Sequence, residues 1–551
     1  MIRISLSLFS LFFAFALSAQ NTVGLLSYQP WESYDGYNLI YPHNQANVYL
    51  LDNCGEIVHR WDDEPNFRPG NTAYITEEGN LIKTKRPSDI SAFNIWAGGG
   101  GQILEMRDWD NNLMWDFDIS SETQQPHHDI EVLPNGNVLM IVWELISFDE
   151  AVALGRDSSL LDGNEMWPDK VIEYSPDMDA IVWEWRAWDH LIQDVDPNLP
   201  NFGVVADNPG RININYDDNS GSPDWMHVNA IDFDPMNNQI MISVPTFHEL
   251  WIIDHSTSTE EAAGTTGGFG GKGGDLLYRW GNPATYDQGT SDDQKLFYQH
   301  DVHYIIDYLD PWHPQFGKIG LFNNRIGADF SAASVITPAF DMYLNEFGLE
   351  NGRYLPEATD FNITHPNPQA IYSTGLSSFQ VLNNDNFLIS SGRFGYTIEL
   401  TPDDKIVWEY KTPTNGPAIA SQGDTLSINN NLTFRIKRLP IDYVAFDNRD
   451  LTPQGYLEMD PNLQFCPAIL PTSNPQKYNL KVFPNPASDY LAIEWEAVGM
   501  MDFYIYDIYG RKMQTIHATG GRKHVDISKL NPGMYFINSG ETESVSFIIT
   551  E

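Results

Sequence analysis

The chain has 551 residues, a formal net charge of −44 and two cysteines. That charge repels the phosphates of nucleic acid and of anionic membrane surfaces, so neither is an expected partner. The length exceeds what one compact core needs, and one large domain with at least one small companion is expected. The acidic residues are spread along the chain without long blocks, which marks a solvated surface rather than an acidic binding site.

In chain order, residues 1–19 read as a signal peptide: Arg3 is the positive start, 5–17 the apolar run, and cleavage falls after Ala19. The run is too short to span a bilayer comfortably and no later stretch qualifies, so no membrane span is expected and the mature protein is expected to be soluble and exported.

Residues 20–469 alternate two hairpin patterns. The first is an alternating apolar strand headed by a polar residue and closed by a short turn, in 71–85, 127–144, 224–244, 298–325 and 377–392. Asn71, His128 and Ser377 stand the same distance ahead of the turn residues Gly79, Gly136 and Asp385, and His227 and His300 head longer copies. The second pattern ends in Trp or Tyr: 102–117, 171–185, 397–410, and 250–283 with a Gly-rich insertion at 262–274. Two hairpins per unit predict four-stranded antiparallel sheets, and sheets repeated at this scale predict an all-β propeller. Residues 48–61 and 432–446 are unpaired halves at the two ends. Joined, they close a ring of six blades and remove its exposed edges. In an exported protein Cys54 and Cys466 are expected to pair and tie the last unit to the first; two unrelated buried thiols are the alternative.

The position just ahead of an innermost propeller strand lies at the mouth of the central channel, so Asn71, His128, His227, His300 and Ser377 are expected to converge there. The tryptophans of the second pattern are read as repeat-core residues, and His127, His255 and His303 as supports for their neighbours. The Gly-rich run lacks the ending of a phosphate loop.

After a Pro/Ser/Asn linker at 470–476, residues 477–551 carry short alternating strands with turn punctuation, which predict a small β-sandwich. The series "FPNPASDYL", "YDIYGR" and "DISKLNPGMYF" with a terminal strand resembles the type A C-terminal sorting domain of the type IX secretion system. The resemblance implies recognition by that machinery, passage through the outer membrane, and a secreted or surface-anchored product.

Residues about 40–460 resemble the bacterial arylsulfate sulfotransferases, a six-bladed propeller family, through "HHDIEVLPNGNVLM", "DWMHVNAI", "ELWIIDHSTSTEEAA", "GGDLLYRWGNPATY", "YQHDVHYI" and "LSSFQVLNNDNFLISSGRFGYTIEL". The resemblance implies transfer of a sulfuryl group from a phenolic sulfate donor to a phenolic acceptor, with no cofactor and no nucleotide sulfate. It places the sulfohistidine-forming nucleophile at His300, a binding and protonating histidine at His227 beside Asn229, a third active-site histidine at His128, and a sulfate contact near Ser377. A neutral imidazole is a competent nucleophile near neutrality, a second imidazole can protonate the leaving phenolate, and fixed donors can hold the sulfuryl oxygens.

One position departs from the family: Pro245 stands where an arginine belongs, and losing such a donor typically costs on the order of 10²–10³ in rate. Arg325 and Arg393, at the ends of inner-strand copies, are the candidate substitutes, and His248 a further one. Three histidines with an open position also suit Zn, Cu or Fe, and a propeller can serve as a non-catalytic binding scaffold.

Overall fold

The structure is a computed structural model that describes residues 21–341, 343–466, 480–495, 500–507, 511–519, 522–539 and 545–550. The expected signal peptide and the linker at 470–476 lie outside the described residues. The chain divides into two units, Met1–Ile469 and Leu470–Glu551.

The first unit is built from six antiparallel sheets of four or five strands. Leading strands Phe67–Ile75, Gln124–Val132, Ala230–Asp234, His300–Tyr304 and Ser378–Val381 each open a sheet. The sixth joins the chain ends: Thr433–Pro440 pairs with Gly36–Pro42, followed by Val48–Leu51 and Ile57–Trp61. In space, Phe67–Ile75 packs against Gln124–Val132, that strand against Ala230–Asp234, then come His300–Tyr304, Ser378–Val381 and Thr433–Pro440, which returns to Phe67–Ile75. Cys54 and Cys466 form a disulfide, with Cα atoms 5.6 Å apart.

The strands follow from their composition. Val138–Glu144 is an apolar, β-branched run buried along its whole length, as a strand covered on both faces must be, whereas the outer strand Leu113–Asp118 is largely exposed. The turn residues Gly79, Gly136 and Asp385 have φ of 81°, 83° and 67°, the left-handed conformation a tight hairpin needs. Trp185 and Trp408 are 1% exposed, in the cores between sheets.

Two features go beyond the sequence reading. Gly24–Tyr28 adds a fifth strand beside Ile406–Lys411. The sheet headed by His300 is completed by Ala332–Ile336 and Phe361–Ile363, a pair split by a long insertion that hides its hairpin pattern.

The second unit, by itself, has a three-stranded sheet (Lys481–Phe483, Tyr490–Glu494, Arg522–Asp526) and a four-stranded one (Lys512–Thr519, Met500–Asp507, Gly533–Asn538, Val545–Ile549). Leu491, Ile493 and Val525 of the first meet Phe503, Ile505, Ile537 and Phe547 of the second in one apolar core.

Candidate active site

The leading strands share a backbone device. Asn71, His128, His227 and Ser377 have φ of 113°, 54°, 53° and 95°, and in the His300 strand the same kink falls on the flanking Tyr298 and Asp301, at 53° and 54°. A left-handed conformation costs these residues energy and persists only where the surroundings enforce it.

The kinks bring the histidines together. The His128 and His227 rings are 4.6 Å apart between centroids, and Phe434 of the closing strand stands 6.1 Å from His128 and 6.3 Å from His300. Behind Phe434, Arg435 is a buried bolt: its guanidinium pairs with Asp129 at 2.8 Å and Asp301 at 2.6 Å, the residues that follow His128 and His300.

His300 Nδ1 lies 2.9 Å from Asn324 Oδ1 and 3.2 Å from the Tyr298 carbonyl. The Asn324 amide donates to the Ser373 and Leu376 carbonyls, which turns its oxygen toward the ring. Both partners of Nδ1 accept, so the proton sits on Nδ1 and Nε2 keeps its lone pair. Burial lowers the His300 pKa to about 3, with the His227 charge adding to the effect.

His227 is shifted the other way. Burial opposes its charge, but Asp224, 2.5 Å from Nδ1, and Asp169 overcome it and raise its pKa. The carboxylates favour the charged form, whose Nε2–H is the donor not taken up by Asp224. His128 is held neutral by burial and by the neighbouring histidines. Its Nδ1 lies 2.8 Å from Nδ1 of His127, which stacks on Trp143 and meets Asp169 at 2.6 Å through Nε2. The His127 ring is thus wedged between Asp169 and His128, with a hydrogen bond to His128 alone among the described residues. Gly99 covers the other edge of His128: a Cβ there would collide with Nε2.

The remaining expected site residues divide. Asn229 is fully buried, and its amide donates to the Gln299 carbonyl at 2.8 Å, fixing the residue before His300. Ser377 is buried, its hydroxyl accepting the Gly392 N–H at 3.0 Å, next to Arg393. Asn71 Nδ2 reaches the Gly99 carbonyl at 3.4 Å. Arg325 is exposed, lies 4.1 Å over the Tyr298 ring and donates to the Thr374 carbonyl. Arg393 is half-buried, and its Nε is buried with no hydrogen-bond partner. A Cβ built on Gly375 would lie 3.4 Å from Arg393 Nη2 and 3.8 Å from His300 Cε1, so the two side chains approach one point. His248 is spent on Asp218 at 2.7 Å. His255 and His303 bond Glu173 and the Asp301 carbonyl. Among the described residues, no group of three or more His, Cys, Asp or Glu side chains is arranged to hold a metal ion.

Sequence reasoning missed Asn324, Asp224, Asp169, His43 and Arg86. His43 and Arg86 stand at second-strand ends as Arg393 does. Burial lowers the His43 pKa to about 4, with Arg86 and Arg393 both adding to it. The signal for Arg86 was present, one residue beyond the "NTAYITEEGNLIKTK" hairpin.

No curated protein matches the chain. Among solved structures, a protein of unknown function from Bacteroides caccae is 10% identical with a TM-score of 0.36, over 74% of this chain and 99% of that one. A streptogramin B lyase is 11% identical with a TM-score of 0.34, over 77% and 96%. A catalytically inactive virginiamycin B lyase from Staphylococcus aureus is 12% identical with a TM-score of 0.31, over 68% and 85%. Likenesses this weak say nothing about what this chain does.

The family comparison is decisive where those are not. A secretion system C-terminal sorting domain matches residues 481–550, which marks the protein for type IX export to the cell surface or the extracellular space. Arylsulfotransferase (ASST) matches residues 28–425, the stretch that carries all three histidines, and the chain belongs to that family.

Proposed function

We propose that this arylsulfotransferase moves a sulfuryl group from a phenolic sulfate ester to a phenol through a sulfohistidine on His300, without a nucleotide sulfate donor. The observation that carries the reading is the Asn324–His300 contact, which leaves Nε2 of His300 with its lone pair, while Asp224 favours the protonated form of His227. Nε2 attacks sulfur, the bond from sulfur to the aryl oxygen breaks, and His227 gives its proton to the departing phenolate. In the second half the acceptor phenol returns a proton to His227 and its oxygen attacks the same sulfur, breaking the nitrogen–sulfur bond. Arg393 takes the place left by Pro245 and holds sulfuryl oxygens, and His128 acts by packing against the His227 ring and fixing it. Asn71, Asn229 and Ser377 hold the backbone around these groups, and Arg325 lines the rim.

We further infer that the six sheets are the blades of a closed propeller; the unbroken round of contacts between leading strands supports this.

The test is intact mass after incubation with a chromogenic aryl sulfate. A gain of one sulfuryl group in the wild type and none in His300→Ala is expected. A label that survives His300→Ala sinks the mechanism.

A further inference from the structure

Arg68 and Arg86 face each other across the first hairpin of the first sheet, as directly opposed partners. Like charges in that position repel. The chain carries 75 acidic residues against 31 basic ones, yet neither arginine pairs with a carboxylate among the described residues. Arg68 spends one nitrogen on the Pro65 carbonyl at 2.7 Å, and Arg86 one on the Pro87 carbonyl at 3.1 Å. Arg86 also lies 5.1 Å over the ring of Trp96, which packs on Gly100, next to the Gly99 that covers His128. Behind it stands the buried His43, close enough to Arg86 and Arg393 that both oppose its charge. Cations so placed in so acidic a chain lack a counter-ion that the protein itself does not supply.

We propose that Arg86, with Arg68 facing it and His43 behind it, forms a second anion subsite that takes a sulfate, carboxylate or phosphate group carried by the substrate in addition to the sulfuryl group that moves. The half-exposed Trp96 beside it is placed to meet the ring bearing that group. This rests on the sulfuryl-transfer reading for the identity of the substrate, but not for the binding itself. The natural donor is accordingly a doubly anionic aromatic, or the natural acceptor a phenol that carries one anionic group.

The test is calorimetric, with two unreactive probes on the full-length secreted protein: benzenesulfonate and benzene-1,3-disulfonate. Tighter binding of the disulfonate, by on the order of tenfold, is expected in the wild type, since a charge-assisted contact is gained. In Arg86→Gln the preference disappears. Equal affinities in the wild type, or a preference that survives the substitution, overturn the subsite. Should Arg86→Gln not fold, the wild-type ratio decides alone. A disulfonate preference in a protein that transfers no sulfuryl group would overturn the reaction and keep the subsite. Where transfer occurs, the dependence of kcat/KM on Arg86 for 3-carboxyphenyl sulfate against phenyl sulfate, and for 3-hydroxybenzoate against phenol, tells whether the donor or the acceptor carries the second charge. Dependence in neither also overturns the subsite.

Discussion

Asn324 Oδ1 lies 2.9 Å from His300 Nδ1 and is held there by two carbonyls that claim its amide hydrogens. One neutral side chain thereby selects the tautomer of the nucleophile. Asn324→Ala leaves Nδ1–H with only the Tyr298 carbonyl and frees the ring to turn. Loss of a buried hydrogen bond costs about 1–3 kcal/mol, so kcat for aryl sulfates is expected to fall about 5- to 150-fold, with little change in KM. Asn324→Asp separates positioning from packing. A carboxylate beside Nδ1 raises the His300 pKa from about 3, so the acid limb of the pH profile moves upward. An unmoved acid limb would contradict the assignment.

The pH profile itself follows from the two histidines. Transfer needs His300 neutral and His227 charged. His300 stays neutral down to about 3, so the acid limb lies far below neutrality. The His227 pKa is raised above the ordinary value, so its proton is present below that ordinary value and leaves as the pH climbs through the raised pKa. kcat/KM is therefore expected to be flat between the two pKa values and to fall as the pH passes the raised one. His227→Gln removes the alkaline limb and lowers the rate about 10²- to 10⁴-fold for poor leaving groups, and less for nitrophenolate, which needs no proton. Steady-state kinetics with donors of graded phenol pKa checks both points.

Much of this site was legible because it repeats. Asn71, His128 and Ser377 stand the same distance ahead of their turns, and the reason is physical: each occupies a left-handed kink, within the leading strand for Asn71 and His128 and just ahead of it for Ser377. What supports them does not repeat. Asn324 stands directly before Arg325 in "FNNR", far from His300 in sequence, and only the pairing of His300 with Phe322 brings it back. Asp224 precedes its histidine by one turn of loop, a spacing too common to signal anything. His43 reaches the site because the chain's two ends share a sheet, a contact between residues some 400 apart that no local pattern records. The strand pattern was readable for the opposite reason, since strand alternation is local; the blade hairpin missed in the His300 sheet is the one an insertion splits.

The disulfide is expected to matter to stability and not to chemistry. Cys54 follows a strand of the closing sheet, and Cys466 comes 412 residues later, so the bond restrains a very long loop in the unfolded chain. Replacing Cys466 with serine is expected to cost about 2–5 kcal/mol. Guanidinium unfolding with and without reductant measures this. The wild type should lose its advantage on reduction, and the variant should be indifferent to it. The sulfuryl label on His300 should form in both, because neither cysteine touches the histidines.

Pro245 makes the arginine question decisive. The family's guanidinium is missing from the third sheet, and Arg325 and Arg393 are the strand-end arginines nearest His300. Arg325 is exposed and already engaged with the Tyr298 ring and the Thr374 carbonyl, whereas Arg393 shares its approach to the space over Gly375 with His300 and keeps a buried Nε unpaired. A buried donor without an acceptor is costly unless a ligand supplies one, and a sulfuryl oxygen is such an acceptor. Burial and Arg325 together lower the Arg393 pKa, a strain that a bound anion relieves. Arg393→Gln is therefore expected to cost about 10²–10³ in kcat/KM, as loss of an oxyanion donor does, and Arg325→Gln under tenfold, as loss of an exposed charge does. Equal losses would place the sulfuryl group nearer the rim than His300 Nε2 can reach, and would count against the nucleophile as well as the arginine.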